Sequence, residues 1–131
     1  SVTVEIIENL LKLNHESILV FTPDIEWARL CSVMLSLKNQ DVNCEYIHGG
    51  TPGLVRKIAI SDFRNKKYPV LFNCEILTTG FDSPKIDAVV IVRPSTNPND
   101  PLFIQMVGRG LRGPKFDPEV KSDCTIVHQT W

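Results

Sequence analysis

The sequence predicts an α/β protein in which a mostly parallel sheet is flanked by helices on both faces. Short runs of consecutive apolar residues recur along the chain, as is typical of strands that are buried on both faces. Segments with helical periodicity separate these runs, and strands that alternate with helices form parallel sheets. The length of 131 residues is enough for one domain with its own core. Ligands of such sheets bind beyond the carboxyl ends of the strands, so we expect function in the loops that follow the strands.

The first elements are a helix over residues 3–14, with apolar residues at helical spacing, and a buried strand over residues 17–21. Thr22 is then predicted to cap a second helix, with Pro23 at its first position. Its buried stripe is predicted to consist of Trp27, Leu30, Cys31, Met34 and Leu35.

A second strand over residues 44–47 leads into a Gly-Gly pair and a second Thr-Pro sequence, Thr51-Pro52, which is predicted to open a helix over residues 54–65 in the same way. Strands over residues 69–73, 87–92 and 123–128 complete the predicted sheet. The loops expected to carry function are residues 22–24, 48–51, 74–84 and the turn before Gln105.

A further helix, predicted around residues 105–112 near the carboxyl end of the chain, carries the most informative pattern. Gln105, Arg109 and Arg112 fall on one stripe of a helix, and they are interrupted by Gly108 and Gly110. The residues of the opposite, apolar face are Phe103, Val107 and Leu111. Each glycine costs a helix about 1 kcal/mol relative to Ala, which indicates close approach by a ligand or another surface. Guanidinium groups suit phosphate oxygens, although solvated surface charges are the alternative.

The composition of the chain limits the kinds of partner and site that we expect. The formal net charge is −1, so any nucleic-acid binding must come from a local basic strip. No apolar run approaches the roughly 18 residues of a membrane span, and the first residues do not resemble a signal peptide, so we expect a cytoplasmic, or at least intracellular, protein without a membrane partner. The four scattered cysteines predict reduced thiols rather than a disulfide or a metal site. The absence of an initiator Met favours a piece of a longer protein.

Three motifs in these loops occur in a family-specific order and spacing. They are His48-Gly49 with Arg56 and Phe63-Arg64 downstream, Thr79-Gly80-Phe81-Asp82-Ser83-Pro84, and Gln105-x-x-Gly108-Arg109-x-x-Arg112. Together they resemble the second RecA-like domain of superfamily 2 helicases and translocases. The amino-acid sequences of these motifs are most similar to those of motor subunits of restriction enzymes and related bacterial DNA helicases.

This resemblance implies that residues 1–131 form a helicase C-terminal RecA-like domain. Arg109 and Arg112 would be arginine fingers that stabilise the charge on a transferring γ-phosphate. Gln105 and Gly108 would lie on the nucleotide side of a cleft between two lobes.

Two residues of the preceding motif are also assigned to the nucleotide by the resemblance. Asp82 would accept hydrogen bonds from the ribose hydroxyls, although capping the turn before Pro84 is its alternative role. Gly80 would lie beside the nucleotide, where its amide could also reach a nucleic-acid phosphate.

The expected nucleic-acid contacts go to the backbone and carry no base-specific information. Thr78 and Thr79 offer hydroxyl groups. Thr22 is equally well explained by capping alone. Gly49 and Gly50 either present amides to an anion at a helix start or form a tight turn. His48 could be a switchable base, but it is expected to be a packed or hydrogen-bonded loop residue.

Some residues depart from the family pattern. Cys74 stands where many relatives have a Thr that contacts nucleic acid, and Gly53 stands where many have Gln. The sequence also contains no G-x-x-x-x-G-K-[ST] phosphate loop and no Asp-Glu pair for Mg²⁺, so ATP and Mg²⁺ would require an N-terminal RecA-like lobe of the same chain.

The resemblance therefore predicts the finger-bearing half of a motor that acts on nucleic acid, with DNA favoured over RNA, and that is inactive alone. Two alternatives are a non-catalytic RecA-like scaffold and an unrelated α/β domain that binds a phosphorylated ligand.

Overall fold

A computed structural model describes residues 1–74, 86–93 and 124–130 of the chain. The elements of this part, in chain order, are α1 (Val2–Lys12), β1 (Ile18–Phe21), α2 (Ile25–Lys38), β2 (Cys44–Ile47), α3 (Gly53–Arg64), β3 (Val70–Asn73), β4 (Ala88–Arg93) and β5 (Thr125–Thr130).

The five strands form one sheet in the order β2-β3-β1-β4-β5, and every neighbouring pair is parallel. Strand β1 lies in the centre, with Ile18 opposite Val70 on one side and Ala88 on the other. All four residues of β1 and of β3 are buried, which is why these strands read as continuous apolar runs. The predicted fold class is confirmed.

Helices cover both faces of the sheet. On one face, α1 and α2 pack against alternate residues of the strands, and the buried residues there are Val4, Ile7, Leu10, Ile18, Val20, Ala28, Cys31, Leu35, Val70, Phe72, Ala88, Val90 and Val92. On the other face, α3 contributes Phe63, and the buried cluster consists of Leu19, Phe21, Ile47, Phe63, Tyr68, Leu71, Ile86, Val89 and Ile91. Successive strand residues point to opposite faces, so each strand supplies both cores.

The element boundaries differ from the predicted ones for physical reasons. Helix α1 ends at Lys12 rather than residue 14, because Asn14 has a left-handed backbone with a φ of 68° that cannot continue a helix. Strand β5 runs about two residues later than predicted. Its register with β4 pairs Ala88 with Thr125 and Arg93 with Thr130, so it extends as far as its neighbour does.

The predicted cap of α2 is wrong. Asp24, not Thr22, is the N-cap, and its carboxylate accepts a hydrogen bond of 2.7 Å from the Trp27 amide. A carboxylate also interacts favourably with the positive end of the helix dipole. The second Thr-Pro sequence does not repeat even this arrangement, because α3 has Pro52 as its N-cap and no side-chain cap.

The predicted buried stripe of α2 is wrong at Leu30, which is 55% exposed. Leu30 is two residues from the buried Ala28, which is about 200° around a helix of 3.6 residues per turn. The buried residues of α2 are Ala28, Cys31, Ser32 and Leu35, with Trp27 and Met34 partly buried beside them.

Candidate nucleotide and nucleic-acid site

The carboxyl ends of the three adjacent strands β1, β2 and β3 are tied together by their backbones. The Thr22 amide donates to the Asn73 carbonyl at 2.9 Å, and the Cys74 amide donates to the Ile47 carbonyl at 3.0 Å. Thr22 and Cys74 are both buried. These bonds hold the first residues of the loops after β1 and β3 beside the last residues of β3 and β2, at the edge of the sheet where the sequence predicts the site.

Thr22 is placed at this edge, but its hydroxyl group is engaged inside the protein. The Thr22 Oγ1 atom lies 3.2 Å from the Asp24 carbonyl oxygen and 3.3 Å from the Asn73 carbonyl oxygen. A hydroxyl has a single hydrogen to donate, so the two carbonyls share it. Contact between Thr22 and a phosphate stays a prediction, and it would require this hydrogen to turn away from both carbonyls.

The loop after β2, residues 48–51, is closed by three hydrogen bonds of its own. The His48 amide donates to Thr51 Oγ1 at 2.9 Å, and the Thr51 amide donates back to the His48 carbonyl at 3.0 Å. The Gly50 amide donates to His48 Nδ1 at 2.9 Å. The His48 ring also stacks on Tyr46, with ring centroids 6.4 Å apart and planes 19° from parallel. His48 is therefore a hydrogen-bonded loop residue, as predicted.

The two glycines of this loop differ in their surroundings. A Cβ at Gly50 would lie 2.9 Å from Cε1 of His48, whereas a Cβ at Gly49 would meet no described atom within 4 Å. The amides of Gly50 and Thr51 are used inside the loop, which supports the tight-turn alternative for them. The space that a Cβ at Gly49 would occupy is therefore not filled by any described residue.

The helix after this loop is anchored mainly by Phe63, the only residue of α3 that is fully buried. Its ring packs against Tyr68 with a centroid distance of 5.7 Å, and the Tyr68 hydroxyl donates to the Ala59 carbonyl. The Phe of the motif is therefore a core residue in this chain. Sequence reasoning missed the exposed apolar residues in the first half of the same helix, which are Leu54, Val55 and Ile58.

Sequence reasoning also missed a pair of basic residues where β4 and β5 end. The backbone pairing of Ile91 with His128 puts His128 on the same face of the sheet as Arg93, one step away along the ladder. Burial lowers the pKa of His128, and the positive charge of Arg93 lowers this pKa further. The alternation of residues along each strand could have predicted this placement. Arg93 lies two residues after the apolar Ile91, and His128 lies two residues after the apolar Ile126, so each shares a face with an apolar residue of its own strand.

The remaining predicted site residues lie outside the described part of the chain. They are the predicted fingers and nucleotide contacts, together with the hydroxyl groups assigned to nucleic acid: Thr78, Thr79, Gly80, Asp82, Gln105, Gly108, Arg109 and Arg112.

The cysteines are free thiols, and Cys31 and Cys74 are buried. Burial raises the pKa of Cys31 and Cys44, and it raises the pKa of Cys124 to about 11, so these thiols hold their protons at neutral pH.

Within residues 1–74, 86–93 and 124–130, no three His, Cys, Asp or Glu side chains are grouped so as to hold a metal ion. None of the described helices is long and apolar enough to span a membrane.

A family model described as the helicase conserved C-terminal domain matches residues 2–113, which include all three motifs. The chain belongs to this helicase family. The family match excludes an unrelated α/β domain with a phosphorylated ligand, and it agrees with a RecA-like sheet whose loops converge at the carboxyl ends of the strands.

Two yeast proteins are similar to this helicase C-terminal domain in sequence. The protein irc3 of Schizosaccharomyces pombe, which carries the name of a mitochondrial ATP-dependent helicase, is 41% identical over 115 residues, covering 87% of this chain and 18% of irc3. IRC3 of Saccharomyces cerevisiae, named as an ATP-dependent helicase, is 36% identical over 88 residues, covering 67% of this chain and 12% of its own length. The chain thus spans less than a fifth of either relative.

Solved structures show the same fold at low sequence identity. The second domain of the DEAD-box helicase Mss116p, bound to an RNA duplex, superposes with a TM-score of 0.70 at 18% identity, over 98% of this chain and 48% of that one. The helicase Lhr of Mycobacterium smegmatis, bound to single-stranded DNA and AMP-PNP, gives a TM-score of 0.70 at 19% identity, over 98% of this chain and 16% of that one.

Proposed function

We propose that this chain is the finger-bearing half of an ATP-dependent nucleic-acid helicase or translocase. The observation that carries the proposal is the Gln105-x-x-Gly108-Arg109-x-x-Arg112 spacing in a chain that belongs to the helicase C-terminal domain family. Arg109 and Arg112 lie four and seven residues after Gln105, so on a helix their guanidinium groups share one stripe and can face a triphosphate together. Arg109 and Arg112 then stabilise the charge that develops on the γ-phosphate.

The nucleotide itself is held by a second lobe. The sequence supplies no phosphate loop and no Asp-Glu pair, so ATP and Mg²⁺ are bound by an N-terminal RecA-like lobe of a longer chain, and residues 1–131 alone are inactive. Gln105 and Gly108 line this lobe's side of the cleft, while Gly80 and Asp82 contact the nucleotide near its ribose. The much greater length of the yeast relatives supports the presence of further domains.

The loop after β2 provides one backbone contact to nucleic acid. Support comes from Gly49. A Cβ built at Gly49 would have no described atom within 4 Å, so the backbone of another molecule can approach there. Thr78 and Thr79 add hydroxyl donors, and Gly50 shapes the loop. Thr22 lies at the same end of the sheet, with β3 between its strand and β2. We favour DNA over RNA, because the sequences of the motifs resemble those of restriction-enzyme motors and related DNA helicases. The similar structures contain an RNA duplex in one case and single-stranded DNA in another.

We place this motor inside the cell. The name of the S. pombe relative makes a mitochondrial site of action an alternative to the cytoplasm.

The test is nucleic-acid-stimulated ATP hydrolysis by a protein that contains both lobes. Arg109→Ala and Arg112→Ala should each lower the stimulated turnover by about 10³-fold or more, because an arginine finger contributes roughly 10³ to 10⁵ in rate. Arg29→Ala is the matched control, since Arg29 lies on the exposed side of α2 and pairs only with Glu26 at 2.6 Å among the described ion pairs. Unchanged turnover in both finger variants would contradict the motor and favour the scaffold.

A further inference from the structure

We propose that His48 is a positioning residue for nucleic acid, which fixes the Gly49–Gly50 backbone in the shape that admits a phosphate at Gly49. This inference rests on the proposed contact between the loop and the nucleic-acid backbone. It assigns to the imidazole a task that is distinct from contact with the ligand.

The imidazole and the loop fit one another closely. Nδ1 of His48 accepts the Gly50 amide at 2.9 Å, and a Cβ at residue 50 would lie 3.1 Å from the same Nδ1 and 2.9 Å from Cε1. A residue other than glycine at position 50 would therefore push the ring out of its place. The Tyr46 ring, which stacks on the imidazole, also supports its position.

Fixing the loop before the ligand arrives has an energetic consequence. Ordering the backbone of one residue costs about 1 to 2 kcal/mol, and glycines lose more conformational freedom than other residues do. The Gly50 to His48 bond offsets part of this cost in the free protein, so binding does not have to supply it. The two bonds between His48 and Thr51 close the loop but leave the Gly49–Gly50 segment between them, and the imidazole is the group that holds this segment.

The hydrogen bond also determines the state of the ring. An Nδ1 that accepts a hydrogen bond carries no proton, so the neutral ring has its proton on Nε2. In this arrangement His48 acts through its shape and its acceptor atom. An uncharged side chain with an acceptor at the place of Nδ1 should replace it.

The experiment compares His48→Phe with His48→Asn in a protein that contains both lobes. Phe keeps a ring that can stack on Tyr46 but has no acceptor, whereas the Oδ1 atom of Asn lies close to the place of Nδ1. The measured quantity is the concentration of a mixed-sequence single-stranded oligonucleotide, as DNA and as RNA, that gives half-maximal ATPase stimulation. His15→Phe is the matched control, because His15 lies beside Asp87 at the amino ends of the strands, whereas His48 lies at their carboxyl ends.

We expect His48→Phe to raise the half-maximal concentration about tenfold, as the loss of one hydrogen bond predicts, and His48→Asn to stay within about threefold of the parent. The KM for ATP and the turnover at saturating oligonucleotide should change far less than this concentration does. Equal effects of Phe and Asn, or an equal loss in turnover and in oligonucleotide affinity, would overturn the assignment of His48. A parent protein that no oligonucleotide stimulates would instead overturn the proposed function, and this inference with it.

Discussion

The loops after β1 and β2 both contain Thr-Pro and both lead into a helix, yet they are built in opposite ways. After β1, Thr22 turns its hydroxyl inward to two carbonyls, and Asp24 caps the helix. After β2, Thr51 accepts the His48 amide and the helix has no side-chain cap. The first loop is sealed by its own side chains, whereas the second presents Gly49 at its surface.

One edge of the sheet thus combines a loop whose Thr is buried and hydrogen-bonded with a loop whose two glycines are exposed. The β1 loop lies at the centre of the sheet, where a buried polar group must find partners inside the protein. The β2 loop lies at the end of the sheet, where two glycines and one imidazole determine its shape. We therefore expect substitutions in the first loop to lower stability and substitutions in the second to lower nucleic-acid affinity.

Among substitutions of the described residues, the largest effect should come from Gly49→Ala. The new methyl group meets no described atom, so the folded protein should tolerate it, but it occupies the space that a close backbone approach needs. Nucleic-acid affinity of a protein with both lobes should fall at least about tenfold, equivalent to about 1.4 kcal/mol, in a fluorescence anisotropy titration. Gly53→Ala, which also places a methyl in open space, is the control and should bind normally. Normal binding by Gly49→Ala would remove this loop from the interface.

Asp24→Ala should have the next largest effect, and on stability alone. It removes the acceptor of the Trp27 amide, and loss of an N-cap costs about 1 kcal/mol in urea unfolding. Asp24→Asn keeps an acceptor and should lose less than half as much. A loss of nucleic-acid affinity without a loss of stability would contradict the division between the two loops.

Gly53→Ala should raise stability slightly. Gly53 is the first residue of α3, its backbone does not require a positive φ, and a methyl there meets no described atom within 4 Å. Replacing such a glycine by Ala stabilises a protein by about 0.4 to 1 kcal/mol, chiefly by restricting the unfolded chain. A lower unfolding midpoint would indicate that the backbone of α3 needs a glycine at its start.

The smallest effect should be a dependence of stability on pH through His128. Its pKa is lowered in the folded protein by burial and by Arg93, so the unfolded chain binds more protons between that lowered value and about 6.5. The contribution is complete above about pH 6.5 and is lost as the pH falls. An NMR titration should show the His128 pKa rising in Arg93→Gln, and the stability of His128→Gln should vary less with pH. No change in the His128 pKa on removing Arg93 would contradict this.

The sequence was sufficient for the strands and for the order of helices, because buried parallel strands have a strong apolar signal. It was less informative about side chains at helix starts. Thr22 and Asp24 are both good capping residues two positions apart, and only the packing of Thr22 against Asn73 decides between them. Periodicity predicts that Leu30 is buried because apolar residues surround the true stripe on α2, and a single sequence does not separate an exposed apolar residue from a buried one.

Within the candidate site, the sequence predicts that Thr22, Gly49 and Gly50 follow the carboxyl ends of strands, and the structure has them there, but the sequence does not separate the two glycines. Their difference arises from the position of the His48 ring, which depends on three-dimensional contacts with Gly50 and Tyr46. The Arg93 and His128 pair depends on strand register, which becomes known only when β4 and β5 are paired.

The division of labour between two lobes is tested most directly by measuring ATP hydrolysis with saturating single-stranded nucleic acid, for the isolated 131-residue chain and for a protein that joins it to the N-terminal lobe. We expect turnover by the joined protein and none above background by the isolated chain. ATP hydrolysis by the isolated chain would contradict it.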